Sequence, residues 1–386
     1  MSEIKTHWAE VDERGRLVLE PDVAARYGLR LGARVRLDLD SNTVRLHRPV
    51  THLAKLYIEP TNWCNIDCVT CMRNNWEVET GFMSAATFER IVAGLAELPS
   101  PPTVFFGGIG EPLSHGHITA MVARVKAAGC RAEMITNGTL LTEKRARDLI
   151  DAGLDLLWVS IDGARPESYA DVRLGAELPR VLENLRRFRR LRRPAHHPVP
   201  EIGIAFVAMQ RNIGDLPQLL QLGKSLGVMH FHVSNLLPHT EPMSHEVLYA
   251  EALRSITYSP SPWLRRLILP KMDLNEQTIG PFREAMDSGY NVIFAGTNLG
   301  LSNDVCTFIE SGSMIVGWDG SVSPCSPLLY THVGYLRGYE RKSYRHIIGH
   351  IDQRGLLDLW LDPEYVEYRE RVHRFAFAPC SYCGGC

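Results

Sequence analysis

The chain has 386 residues, 45% of them hydrophobic, which is enough for more than one packed core and leads to an expectation of two or three domains. A formal net charge of -2 provides no global field for nucleic acid or an anionic membrane, and no apolar run approaches the ~20 residues a membrane helix needs. The first residues lack the apolar core of a secretory signal, so a cytoplasmic location is expected.

Short alternating runs over 16–19, 35–39 and 43–46 predict strands in a first zone, 1–50. A short helix is expected over 21–27, closed by Gly28, and Ser41-Asn42 supplies a hairpin turn. From 55 to 240, the runs LYIEP, TVFFGG, AEMITNG, LLWVSIDG, IGIAFVAM and HFHVSN alternate with stretches of helical spacing. That alternation predicts repeated βα units and a parallel sheet, and the continuous apolar runs fit a sheet buried on both faces. Functional groups in such folds gather at the C-terminal ends of the strands. The stretch 241–300, rich in Pro, Ser and Met, reads as a bridging segment or a cavity lining. The last zone, 301–386, holds five cysteines among short turn-separated strands.

Eight of the nine cysteines fall in two groups, at 64–71 and 306–386. In a chain without a secretory signal, such grouping points to metal ligands rather than disulfides. Cys130 stands apart and reads as a small buried hydrophobe. Cys64, Cys68 and Cys71 follow a strand as C-x-x-x-C-x-x-C. Three thiolates on a four-iron cluster leave one iron open for a ligand, whereas a structural zinc wants a fourth protein ligand from elsewhere. The next strand end is Gly107-Gly108-Ile109-Gly110-Glu111-Pro112, where glycines admit a close ligand and Glu111 can pair with an amine. Thr136-Asn137-Gly138 and Ser160-Ile161-Asp162-Gly163 end the following strands and offer small polar groups for hydroxyls and a carboxylate. Each alone reads as turn chemistry. In the tail, Cys306 and Cys325 bracket a strand-like run, and Cys380, Cys383 and Cys386 form C-x-x-C-x-x-C. A zinc ribbon and an iron–sulfur cluster are both open readings of that tail.

Residues 55–240 resemble the radical S-adenosylmethionine (SAM) superfamily through these strand-end motifs taken in order. The resemblance implies an α/β fold, a partial (βα)6 barrel whose three-cysteine loop holds a 4Fe-4S cluster. SAM would chelate the open iron, and its reductive cleavage would yield a 5′-deoxyadenosyl radical that takes hydrogen from a substrate. It implies cofactor contacts at Gly107, Gly108, Glu111, Asn137, Ser160 and Asp162. Two departures stand out: Thr70 replaces the usual aromatic before the third cysteine, and Ile109-Gly110 alters the glycine spacing. The tail resembles a SPASM domain, with Cys306, Cys325, Cys380, Cys383 and Cys386 on one or two auxiliary 4Fe-4S clusters. Residues 1–50, through D-E-R-G-R-L-V-L-x-P and G-L-R-L-G-A-R-V-R-L, resemble an AbrB/SpoVT-like swapped-hairpin module. That likeness implies docking or a homodimer, with DNA binding disfavoured because Asp12, Glu13, Asp22, Asp38 and Asp40 dilute its arginines.

The combination is similar to maturases associated with tungsten-cofactor oxidoreductases of the aldehyde:ferredoxin oxidoreductase type. This implies a peptide or protein substrate, such as a tungsten oxidoreductase, and an electron donor such as ferredoxin or flavodoxin. Two alternatives are a molybdopterin or tungstopterin biosynthesis enzyme and a DNA-binding redox regulator. Other features read as ordinary. RRFRRLRR is a solvated helix face, and His196-His197 lie in a loop. His230 and His232 alternate on a strand as candidate substrate contacts, while nothing selects Asp304 or Asp319 as a base.

Overall fold

Eight strands run parallel and side by side in chain order: β1 (Lys55–Ile58), β2 (Thr103–Phe106), β3 (Arg131–Thr136), β4 (Leu156–Ser160), β5 (Glu201–Ala208), β6 (His230–Asn235), β7 (Arg265–Leu269) and β8 (Tyr290–Phe294). The computed structural model describes residues 9–39, 44–76, 78–192, 199–249, 265–269, 272–294, 306–336 and 339–374. On the free side of β1, β9 (Ser313–Val316) adds in parallel. β10 (Ser321–Ser323) and β11 (Gly349–His350) follow antiparallel and complete an eleven-stranded sheet. The six expected βα units are therefore extended by two strands. The stretch 241–300, expected to bridge, contributes β7, β8 and the helix between them to the same sheet, and the tail begins on β1 itself.

Helices α1 (Ala85–Glu97), α2 (Ile118–Ala127), α3 (Glu143–Asp151), α4 (Leu178–Leu191) and α5 (Leu216–Leu226) follow the first five strands, and α6 (Glu276–Met286) joins β7 to β8. Their starts are written locally. Ser84 accepts the Thr87 amide at 3.0 Å and Thr142 accepts that of Arg145 at 3.3 Å, which satisfies otherwise orphaned donors. α4 buries Leu178, Val181, Leu185 and Phe188 on one stripe and turns Arg186, Arg189 and Arg190 to solvent, as expected for the arginine run, whereas Arg187 is half-buried and Arg192 is buried and donates to the Pro200 carbonyl at 2.7 Å.

Burial alternates along the strands. Ile58, Val104, Phe106, Ala132 and Met134 are fully buried in the core that includes Ile91, Val122 and Leu149 of the helices. The alternate residues Tyr57, Phe105, Glu133, Ile135 and Trp158 are only half-buried. One face is thus sealed by helices and the other borders a partly open interior, where burial on both faces had been expected. At the strand starts that second face carries a charged layer. Lys55 meets Glu133 at 3.4 Å, Arg131 meets Glu133 at 3.1 Å and Glu201 at 3.7 Å, and His230 meets Glu201 at 2.9 Å. His230 is thereby committed at the end of the sheet away from the cysteine loop. His232, beside Trp158, is half-buried, and burial with the nearby Lys55 charge pushes its pKa down to about 4. Cys130 is buried, and burial pushes its thiol up to about 11.

Ahead of the sheet lie two small hairpins, Glu10–Val11 with Leu17–Val18 and Leu37–Leu39 with Val44–Leu46, separated by the helix Pro21–Arg26. Ser41-Asn42, the expected turn, lies outside the described residues. The chain then fastens to the tail: Trp360 Nε1 donates to the Thr51 carbonyl at 2.8 Å and Arg369 Nε to that of Val50 at 2.9 Å. Arg369, from helix α7 (Pro363–His373), stacks 3.7 Å from the Trp360 ring centre. Among the described residues, no helix is long and apolar enough to cross a membrane.

Candidate active site

The loop leaving β1 carries Cys64, Cys68 and Cys71, all free thiols and all half-buried. Its shape is fixed by short-range bonds and two distant partners. The Cys71 amide donates to the Cys68 carbonyl at 3.0 Å, Asn74 Nδ2 to the same carbonyl at 2.9 Å, and Arg73 Nη2 to the Ile66 carbonyl at 2.7 Å. Asp67–Cys68 also pairs as a short antiparallel ladder with Arg173–Leu174, which sets Arg173 opposite Cys68.

Arg173 is a site residue the sequence did not single out. Its Nη2 meets Asp162 Oδ2 at 2.6 Å, and its Nη1 donates to Cys68 Sγ at 3.7 Å. Burial opposes its charge, but Asp162 and Cys68 hold its pKa above the ordinary arginine value. Asp162 is fully buried, and its Oδ1 accepts the Val207 amide at 2.8 Å. Its carboxylate is thus spent on Arg173 and the β5 backbone. Ser160 is half-buried at the end of β4.

The glycine-rich turn after β2 lies against the cysteine loop. A Cβ on Gly110 would sit 2.1 Å from the Thr61 carbonyl oxygen and 2.6 Å from that of Trp63, so only glycine fits there. This accounts for the Ile109-Gly110 spacing: the Glu111 amide, next in line, donates to the Trp63 carbonyl at 2.8 Å. A Cβ on Gly108 would overlap the Glu59 carboxylate, 2.5 Å away, and one on Gly107 would strike Ile135 at 2.6 Å. Glu111 is buried and bonded inward. Oε1 accepts from the Leu113 amide at 2.9 Å and Thr136 Oγ1 at 2.7 Å, and Oε2 accepts from the Asn137 amide at 2.7 Å. Burial pushes its pKa up, against those three bonds. Asn137 in turn reaches the loop, with Nδ2 3.0 Å from Asn65 Oδ1 and 3.7 Å from Cys64 Sγ. The geometry makes Glu111 a brace between the glycine turn and Asn137.

Three soft donors in one loop, with no carboxylate or imidazole among them, suit iron–sulfur chemistry. Their surroundings fit a bound cationic cluster. Burial pushes the Cys64 thiol up and the Cys68 thiol up to about 11, so thiolates here require nearby positive charge. Arg173 lies beside Cys68. Burial opposes the charge of Arg73, and Cys71 and Cys64 raise its pKa above the ordinary arginine value.

A second residue missed in the sequence is Glu59, which directly follows β1. It is fully buried, accepts the Ile109 amide at 2.9 Å and is bonded by the Tyr330 hydroxyl. Burial raises its pKa to about 7. Tyr330 stacks edge-on to Trp76 at 4.2 Å and follows Cys325, so the tail reaches the glycine turn through this pair. Cys306 and Cys325 are half-buried, and both raise the pKa of buried Tyr365 after the larger effect of burial. Cys380, Cys383 and Cys386 lie outside the described residues.

A cysteine loop braced at the C-terminal ends of a parallel sheet defines a class of enzymes that split SAM at an iron–sulfur cluster. Residues 58–200 match the radical SAM superfamily, and residues 306–386 match the SPASM iron–sulfur cluster-binding domain. The chain belongs to the radical SAM superfamily; it is an enzyme whose cofactors are SAM and a 4Fe-4S cluster, with a further iron–sulfur domain in its tail. It is 30% identical over 335 residues to the tungsten-containing aldehyde ferredoxin oxidoreductase cofactor-modifying protein of Pyrococcus furiosus, covering 85% of this chain and 86% of that one. Two solved structures share the fold. For anSMEcpe with bound AdoMet, TM-score 0.58 and 18% identity span 83% of this chain and 81% of that one. For Streptococcus suis SuiB bound to S-adenosylmethionine, TM-score 0.56 and 16% identity span 83% and 68%.

Proposed function

We propose that the chain is a maturase that modifies a peptide or protein, with a tungsten-cofactor oxidoreductase as its target. The observation that carries the site assignment is the three-thiol loop held between Asn137 and Arg173 at the strand ends. Likeness to the Pyrococcus protein over most of both chains supports the target. When bound, the reduced cluster supplies the electron that breaks a carbon–sulfur bond of SAM, and the nucleoside fragment takes a hydrogen atom from the substrate.

In this reading Cys64, Cys68 and Cys71 hold the site cluster. Gly107 and Gly108 let backbone approach SAM, while Asn137 and Ser160 offer polar contacts. Glu111 and Asp162 act as positioning residues, because their carboxylates are already bonded within the protein. Cys306 and Cys325, with Cys380, Cys383 and Cys386, hold auxiliary iron–sulfur clusters. The 1–50 module serves for docking or self-association in the cytoplasm, a role supported by the exposure of Leu17, Leu37, Leu39 and Val44. A ferredoxin or flavodoxin supplies the electron.

The test is anaerobic reconstitution followed by measurement of 5′-deoxyadenosine with and without an apo-form tungsten oxidoreductase. Nucleoside yield is expected to rise with that partner and to vanish in a Cys64/Cys68/Cys71→Ala triple variant. A yield indifferent to every polypeptide tried, or a product formed from GTP, would sink the maturase reading.

A further inference from the structure

Three side chains far apart in sequence meet where the N-terminal module joins the tail. His47 directly follows the Val44–Leu46 strand, Glu310 ends the short helix Thr307–Glu310, and His373 ends α7. His47 Nδ1 lies 2.6 Å from Glu310 Oε1, and His373 Nε2 lies 2.8 Å from Glu310 Oε2. The ligand-capable atoms of all three fall within 4.8 Å of one another. We propose that His47, Glu310 and His373 bind one divalent metal ion of the zinc class, which clamps the N-terminal module to the tail.

The other side of His47 supplies an independent reason. Its Nε2 lies 2.7 Å from Asp38 Oδ2, so both ring nitrogens face a carboxylate oxygen. A neutral imidazole has one donor and one acceptor nitrogen. With carboxylates on both sides it needs either a second proton or a metal on one nitrogen, and a metal on Nδ1 meets that need while the Nε2 hydrogen goes to Asp38. A carboxylate behind a ligating imidazole is the usual outer partner of a metal-bound histidine, fixing its tautomer and raising its basicity. Asp38 is itself held by Arg36, whose Nε and Nη2 donate at 2.8 and 3.0 Å.

Donor type and burial fit the assignment. Two imidazoles and one carboxylate, with no thiol, form a set distinct from the cysteine sites and suited to zinc with water as fourth ligand. Zinc bonds of about 2.0–2.1 Å in a tetrahedron separate ligand atoms by about 3.3 Å, so the two His–Glu contacts need to open by less than an ångström and the widest separation, within 4.8 Å, to close by at most about 1.5 Å. The side chains of His47 and His373 are 5% and 9% exposed, whereas that of Glu310 is 27% exposed and leaves an approach from solvent.

Cobalt(II) is the probe, titrated into the full chain after anaerobic cluster reconstitution and removal of loosely held metal with a chelator. One cobalt per chain should bind, with ligand-field bands but no thiolate-to-cobalt charge transfer. Glu310→Gln and His373→Ala should abolish that uptake while iron per chain stays constant, and Asp38→Asn should weaken it by about 10–100-fold. Equal uptake by wild type and Glu310→Gln, a thiolate charge-transfer band, or no uptake at all would each overturn the proposal. Should Glu310→Gln also lose iron, Asp38→Asn decides: an unchanged cobalt affinity rejects the site.

Discussion

At Arg173 one guanidinium serves two clients. It neutralises Asp162, which has no access to water, and it faces the Cys68 thiol. Removing one partner of a buried ion pair strands the other, at a cost of about 3–5 kcal/mol, whereas removing both costs far less. Arg173→Met is therefore expected to destabilise the chain by about that amount and to lower the iron retained at the Cys64/Cys68/Cys71 loop. Adding Asp162→Asn should restore most of the stability, because the stranded charge is gone, but not the iron, because Cys68 still lacks its cation. Urea midpoints and iron content of wild type and the two variants check this. A single-variant loss below about 0.5 kcal/mol, the level of an ordinary surface change, would refute the coupling.

Between elements, the site depends on how closely the glycine turn and the cysteine loop lie. Gly110 packs on the Thr61 and Trp63 carbonyls with no space for a Cβ, while Gly116, six residues on, has nothing within 4 Å of where a Cβ would be. Gly110→Ala should push the two loops apart and lower iron retention and deoxyadenosine yield at least tenfold, while far-UV circular dichroism stays native; the control Gly116→Ala should match wild type. Iron assay, product yield and the spectrum separate these outcomes. Much of this level was legible in the sequence, since β1 to β6 carry apolar runs, β1 leads into the cysteine loop, and β2, β3 and β4 end in their glycine, asparagine and aspartate motifs. β7 was hidden because it opens on Arg265-Arg266 in a stretch without period, and β8 because it lies in the same stretch. Arg173 was illegible for a different reason: its partner Cys68 is brought to it by a two-residue ladder between segments over 100 positions apart, and only the fold turns its guanidinium onto Asp162. No local pattern reports such pairing.

On the scale of the whole molecule, the tail and the sheet are one body at the site. β9 pairs with β1 residue for residue from Ser313 with Lys55 to Val316 with Ile58, and Tyr330 then bonds Glu59 where β1 ends. Glu59 is the point at which this union responds to pH. Its carboxyl ionises near 4.5 in the unfolded chain and near 7 when folded, because burial outweighs the bonds from Ile109 and Tyr330. Between those values the folded state holds the proton and the unfolded state does not. The stability contributed by the protonated form is therefore complete below about 4.5, declines as pH rises and is lost above about 7. A shift of that size corresponds to about 3 kcal/mol. Glu59→Gln keeps an acceptor for the Ile109 amide and a polar partner for Tyr330 but cannot ionise. It should match wild type at pH 5 and be the more stable protein at pH 8, with the gap opening between those limits. Denaturant midpoints of wild type, Glu59→Gln and Tyr330→Phe across that range test the argument. Tyr330→Phe should extend the decline to higher pH than in wild type, because the ionised carboxylate loses a donor worth about 1–3 kcal/mol at a buried charged group. Parallel curves for wild type and Glu59→Gln would show that the carboxyl does not couple the tail to the sheet through its charge.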